Sequence, residues 1–112
     1  MINETAELIY VFNERDLDGF PVERSVEIQV YVREKSVKRT EYYEALRSGI
    51  VPQMVFELRQ EDYEQTEHTE NGKKCYASKI RYDGTVYDIV RSYKNDRSMI
   101  ELTCSKEVQR WR

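Results

Sequence analysis

The chain has 112 residues, with 18 lysines and arginines against 21 aspartates and glutamates, a formal net charge of −3 and nine tyrosines. That length suits one domain burying roughly two-thirds of its unfolded surface in a single core, while the acidic balance, with a pI near 5.3, has the wrong sign for a protein that grips a phosphate backbone. No apolar run approaches the ~18 residues of a membrane-spanning helix, and residues 1–7 show no basic stretch followed by an apolar one, so the expectation is a protein without a signal peptide that stays in the cytoplasm.

Residues 4–13 carry Leu8, Ile9, Tyr10, Val11 and Phe12 in succession, which suits a first strand covered on both faces. Residues 16–23 hold Asp18-Gly19 and Pro21, the chemistry of a turn and an obstacle to regular pairing, so a hairpin connection is expected there. From 24 to 36 the alternation is cleanest. Val26, Ile28, Val30 and Val32 share one face and Glu27, Gln29, Tyr31 and Arg33 the other, which predicts one core face and one wet face. A helical island follows between residues 35 and 52. Thr40 is placed to cap it, Tyr42, Ala45 and Leu46 share a face at the i, i+3, i+4 spacing, Gly49 is placed to end it and Pro52 to keep it from resuming. In a small β-rich domain such an insertion is either a lid over an open barrel end or a handle for a partner. Met54, Phe56 and Leu58, alternating with Val55, Glu57 and Arg59, predict the next strand.

Residues 60–74 are polar and mostly acidic and bury too little apolar surface to order strongly, so a mobile loop is expected. The remainder reads as a meander, with strands at 76–82, 85–93 and 99–104 separated by turns at Asp83-Gly84 and at 94–98. Asp-Gly is a favoured pair for a two-residue type I′ hairpin because both central residues take positive φ. Ile100, Leu102 and Cys104 line one face of the last strand, and Tyr87 and Ile89 one face of the strand before it. Six strands and one short helix in a loop give a mainly β class, a small antiparallel barrel or sandwich over residues 1–106, with 107–112 as a C-terminal tail.

His68 is the single histidine. It lies in the polar run with no second nitrogen ligand or cysteine pair at metal-binding spacing, and reads as a solvated loop residue. Cys75 and Cys104 fall on predicted strands with only that histidine as a base, so reduced thiols are expected in place of a disulfide or a nucleophile. No two carboxylates are placed in a cleft with opposed environments, and Gly19, Gly49, Gly72 and Gly84 are isolated turn formers without a phosphate-cradling loop. No catalytic, metal or cofactor site is expected. Tyr76, Lys79, Arg81 and Tyr82 come nearest to a stacking surface for single-stranded nucleic acid, although ordinary cross-strand pairing accounts for them.

Several pieces stand in a specific order: the turn Asp18-Gly19-Phe20-Pro21, the strand from Val26 to Val32, and Glu41-Tyr42-Tyr43-Glu44-Ala45 with Gly49 and Pro52 behind it. Val55-Phe56-Glu57-Leu58-Arg59 comes next, then Tyr82-Asp83-Gly84-Thr85-Val86-Tyr87-Asp88-Ile89-Val90-Arg91, and last Ile100-Glu101-Leu102-Thr103-Cys104. In that order they resemble the phage head-tail joining family, also called head-closure or stopper proteins. The likeness spans nearly the whole chain. It has two departures: glutamate and glutamine occupy residues 24–30 where the family often carries tryptophan or alanine, and the 60–74 segment is long.

The resemblance implies a non-enzymatic β-barrel without cofactor, a virion protein present in the host bacterial cytoplasm during assembly. Such a protein is a monomer when free and docks as a ring under the portal or adaptor ring of a DNA-filled capsid, where it closes the exit channel and offers a surface to the tail. Double-stranded DNA passes through without specific binding, and no membrane is involved. Glu41, Tyr42, Tyr43 and Arg47 become the partner-binding candidates, since tyrosine and arginine often anchor interfaces; the other reading of Tyr42 and Leu46 is that they cap the barrel. Glu61, Asp62, Glu64, Glu67 and Glu70 are candidates for a channel lining that repels DNA, the alternative being a solvated outer loop. Trp111 either docks on a neighbour or belongs to a frayed tail. A tail-completion protein and an oligonucleotide-binding barrel are the rival readings, with a small hydrolase or isomerase as the residual.

Overall fold

The computed structural model describes residues 4–49, 51–95 and 98–106. Within them the chain runs β1 (Glu4–Arg15), β2 (Pro21–Lys35), α1 (Arg39–Arg47), β3 (Met54–Arg59), α2 (Gln60–Glu64), β4 (His68–Glu70), β5 (Lys73–Cys75), β6 (Lys79–Tyr82), β7 (Thr85–Lys94) and β8 (Met99–Lys106). Six strands close into an antiparallel barrel in the order β1-β2-β3-β8-β7-β6, and β4 and β5 form a separate two-stranded hairpin. Of the two architectures the sequence allows, the chain adopts the barrel, which closes the sheet where its first and last strands meet. The tail 107–112 with Trp111, and residues 96 and 97 of the 94–98 turn, lie outside the described residues.

The core follows from the period of two along each strand. Ala6 and Leu8, Val30 and Val32, Phe56 and Leu58, Ile80, and Ile100, Leu102 and Cys104 are all at 3 % exposure or less. The rings of Tyr82 and Tyr87 meet Phe56 edge-on, with centroids 4.9 and 5.8 Å away, an arrangement that adds about 0.5–1.5 kcal/mol per pair beyond the area buried. Asp83 and Gly84 take φ of 51° and 79° between the paired residues Tyr82 and Thr85, as the Asp-Gly turn predicts.

The first hairpin is longer than its turn chemistry suggests. β1 continues to Arg15 and β2 begins at Pro21, because Asp16 compacts the connection. Its carboxylate accepts the N–H groups of Asp18 and Phe20, each at 2.9 Å, and the Asp16 N–H reaches the Phe20 carbonyl at 3.0 Å. Pro21 stands at the first strand position, where a missing N–H is tolerated. In the barrel, however, β1 pairs with β6 only over residues 7–9 and β2 with β3 only over residues 33–35. The distal halves of β1 and β2 therefore pair only with each other and project as an arm roughly 20 Å long at ~3.4 Å per residue. This corrects the reading of a first strand covered on both faces: Tyr10 and Ile28 still pack on the edge of the core, yet they, Val11, Phe12 and Val26 are only half-buried, because the strands run on past the barrel.

The mobile loop expected over 60–74 is instead structured, and two buried side chains explain it. Tyr63 and Thr66 are 8 % and 0 % exposed. The Thr66 hydroxyl donates to the Tyr63 carbonyl at 2.7 Å and accepts the Ala77 N–H at 2.8 Å. Tyr63 stacks on Tyr76 at 5.3 Å, and burial pushes its hydroxyl pKa up to about 12. Anchored there, the chain forms α2 and then the β4–β5 hairpin, whose Asn71-Gly72 turn has φ of 51° and 77°.

Two smaller corrections concern helix and strand ends. α1 begins at Arg39 with Lys38 at the N-cap position and no side-chain cap, so Thr40 lies inside the helix. Gly49, at φ 78°, follows the helix end as expected. Regular pairing of β6 starts at Lys79, not at residue 76.

Candidate interaction surface

The helix α1 sits on the connection between β2 and β3, and its burial sorts the predicted anchor residues. Ala45 is fully buried, whereas Tyr42, Leu46 and Tyr43 are 36 %, 39 % and 55 % exposed. Tyr42 and Tyr43 meet edge-on at 5.9 Å, and Arg47 is exposed in the last turn. Tyr42, Tyr43 and Arg47 thus come together on one short helix as accessible side chains. Glu41 belongs to the same helix, with its side chain outside the description. A cleft of about 360 Å³ separates α1 from the barrel wall, lined by Lys38, Thr40 and Glu44 on one side and Arg91, Tyr93, Glu101 and Thr103 among the residues opposite.

A charged network underlies this region. Glu57 is 5 % exposed and accepts from the Arg33 guanidinium and from Asn95 Nδ2 at 3.1 Å. Lys35 Nζ lies 3.8 Å from Glu57 and 2.8 Å from Glu101. The Lys35 hydrogen bond holds the Glu101 carboxyl below its ordinary 4.5, and the same bond raises the Lys35 ammonium above 10.5. The network links β2, β3, β8 and the start of the β7–β8 turn, fixing the wall against which α1 lies.

The five candidate channel carboxylates do not share one loop. Glu61, Asp62 and Glu64 are on α2, Glu67 lies between the elements and Glu70 ends β4. Three have counter-charges: Arg59 at 3.8 Å from Glu61, Lys94 at 3.2 Å from Glu64 and Lys74 at 3.9 Å from Glu67. The Tyr76, Lys79, Arg81, Tyr82 set is likewise engaged. Lys79 pairs with Asp88 at 2.6 Å, Arg81 with Glu27 at 2.7 Å and Glu7 at 3.7 Å, and the Tyr82 hydroxyl donates to Glu4 and, at 3.1 Å, to Glu34. These carboxylates raise the Tyr82 pKa, the Glu4 hydrogen bond foremost. Cross-strand pairing occupies the polar heads that a nucleic acid would need.

Two features escape the sequence reading. Leu17 and Phe20, at the tip of the arm, are 106 % and 67 % exposed; the signal available was a leucine between two aspartates, outside any strand alternation. His68 is half-buried on β4, not in a solvated loop. Its ring stacks on Tyr10 with centroids 4.5 Å apart and an 11° interplanar angle, and its Nδ1 lies 2.9 Å from the Thr66 carbonyl. Cys75 stands directly across from it. Both cysteines are free; Cys104 is buried, and that burial pushes its thiol up to about 12.

A scan against protein-family models returns no match for this chain, and neither does a comparison with curated proteins. The class defined by the geometry is a closed six-stranded antiparallel β-barrel with a projecting hairpin arm and a helix on one connection.

Proposed function

We propose that this chain is a structural connector of a phage virion, a barrel that docks as a ring beneath the portal or adaptor ring of a DNA-filled capsid, closes the DNA exit channel and presents a surface to the tail. The observation that carries the reading is where the barrel keeps its accessible anchors. The six strands close over an apolar core, while Leu17 and Phe20 on the arm, and Tyr42, Tyr43 and Arg47 on α1, face outward. A subunit that is free before assembly gains from dispersed anchors of this kind, each too weak to aggregate it alone and strong once multiplied around a ring. In this reading α1, with Glu41, meets the neighbouring ring, the arm reaches the adjacent subunit, and Glu61, Asp62, Glu64, Glu67 and Glu70 keep passing DNA from sticking. No chemistry is assigned to the protein beyond closure and attachment.

The test uses DNA-filled capsids assembled without this chain. Adding the purified protein is expected to restore both DNA retention and the acceptance of separate tails. Binding to isolated tail tubes with no effect on capsids would make it a tail-completion protein instead, and binding to neither would reject the connector role.

A further inference from the structure

We infer that His68, Glu70 and Cys75 form a zinc-binding site on one face of the β4–β5 hairpin. Their donor atoms, a ring nitrogen, a carboxylate oxygen and a thiol sulfur, all lie within 4.8 Å of one another. The register produces this arrangement. His68 and Glu70 are two apart on β4 and so share a face, and Cys75 is the direct cross-strand partner of His68. Zinc bonds of about 2.0–2.3 Å in a tetrahedral shell set ligand atoms about 3.3–3.8 Å apart. Side-chain rotations of roughly 1 Å therefore close the set onto the ion, and the strands need not move.

The imidazole already has the tautomer of a ligand. A carbonyl oxygen only accepts, so the 2.9 Å contact with Thr66 makes Nδ1 the N–H donor and leaves the lone pair on Nε2. That outer hydrogen bond is the usual support of a metal-bound histidine. The carbonyl itself is held firmly, because Thr66 is fully buried and tied to Tyr63 and Ala77, while the Tyr10 stack fixes the ring plane. Glu70 faces Lys73 across the hairpin yet makes no ion pair with it among the described residues. Mixed nitrogen, sulfur and oxygen donors suit zinc and disfavour magnesium or calcium, which take oxygen ligands. Three protein ligands leave a fourth position for water or for a partner's donor. The ion would clip together two strands of three residues each, a hairpin with little packing of its own.

The test titrates the reduced, metal-free full chain with Co²⁺ and then Zn²⁺. The expected result is one equivalent bound with a thiolate-to-cobalt charge-transfer band, bleached by zinc. Cys75→Ser should abolish the band and His68→Gln weaken binding by at least about tenfold. A second readout needs no variant: zinc should slow alkylation of Cys75, located by peptide mass spectrometry, at least about tenfold, while the buried Cys104 stays unreactive with or without metal. Absence of the band, cobalt affinity unchanged in His68→Gln, or alkylation of Cys75 at the same rate with and without zinc would each overturn the assignment.

Discussion

The hydroxyl of Thr66 accepts the backbone N–H of Ala77 at 2.8 Å, a bond between two buried groups that ties the α2 to β5 segment to the barrel. Replacing Thr66 with valine keeps the volume and leaves that N–H without a partner. The expected cost is about 1–3 kcal/mol, read as a lower urea midpoint at unchanged slope. A valine variant as stable as the parent would contradict the account of how so polar a segment is ordered.

Gly84 offers a purely conformational test. Its φ is 79°, and nothing stands within 4 Å of where a Cβ would sit. Gly84→Ala therefore creates no clash and costs only the left-handed strain, about 1–2 kcal/mol. Asp83→Asn, which keeps a residue that tolerates positive φ, should stay within about 0.5 kcal/mol of the parent. Thermal or urea unfolding of the two variants checks the contrast.

The Lys35–Glu101 bond predicts a shape for stability against pH. Glu101 has its folded pKa depressed below 4.5, so its contribution is present above that value and is lost as pH falls through the lower, folded pKa. Lys35 has its folded pKa raised above 10.5, so its contribution is present below that value and is lost as pH rises through the higher one. Lys35→Met should flatten the acid limb of the urea-midpoint profile as pH falls below the ordinary carboxylate value of 4.5. An acid limb of unchanged steepness would show that other carboxylates govern it.

The alternation of β2 shows how far the sequence carried. Val30 and Val32 are buried as their spacing implies, and so are Phe56, Leu58, Ile100 and Leu102, since each lies where neighbouring strands cover it. Val26 and Ile28 obey the same alternation but are only half-buried, because periodicity reports which face is apolar and not whether another strand lies over it. The order of residues 60–75 was hidden for a related reason. It rests on one tyrosine, one threonine and their bonds to Ala77, too few apolar residues to register in a polar run. The Tyr42, Tyr43 and Arg47 surface was legible because one short helix carries all three, with Tyr43 and Arg47 at the i, i+4 spacing. The grouping of His68 with Cys75 was not, because it depends on a cross-strand register that a single strand's pattern does not contain.

Surface anchors and folding residues should separate cleanly. Tyr43→Ala with Arg47→Ala, and Leu17→Ser with Phe20→Ser, alter exposed side chains and should each leave unfolding free energy within about 1 kcal/mol of the parent. On the connector reading, the same pairs should weaken binding to DNA-filled capsids made without this chain by at least about tenfold. Full binding by both double variants would remove α1 and the arm from the interaction surface.

The most direct measurement is electron cryomicroscopy of the portal vertex in DNA-filled capsids made without this chain, before and after the purified protein is added. The connector reading predicts a new closed ring of barrel-shaped density beneath the portal or adaptor, sealing the channel. A vertex that looks the same with and without the protein would contradict it.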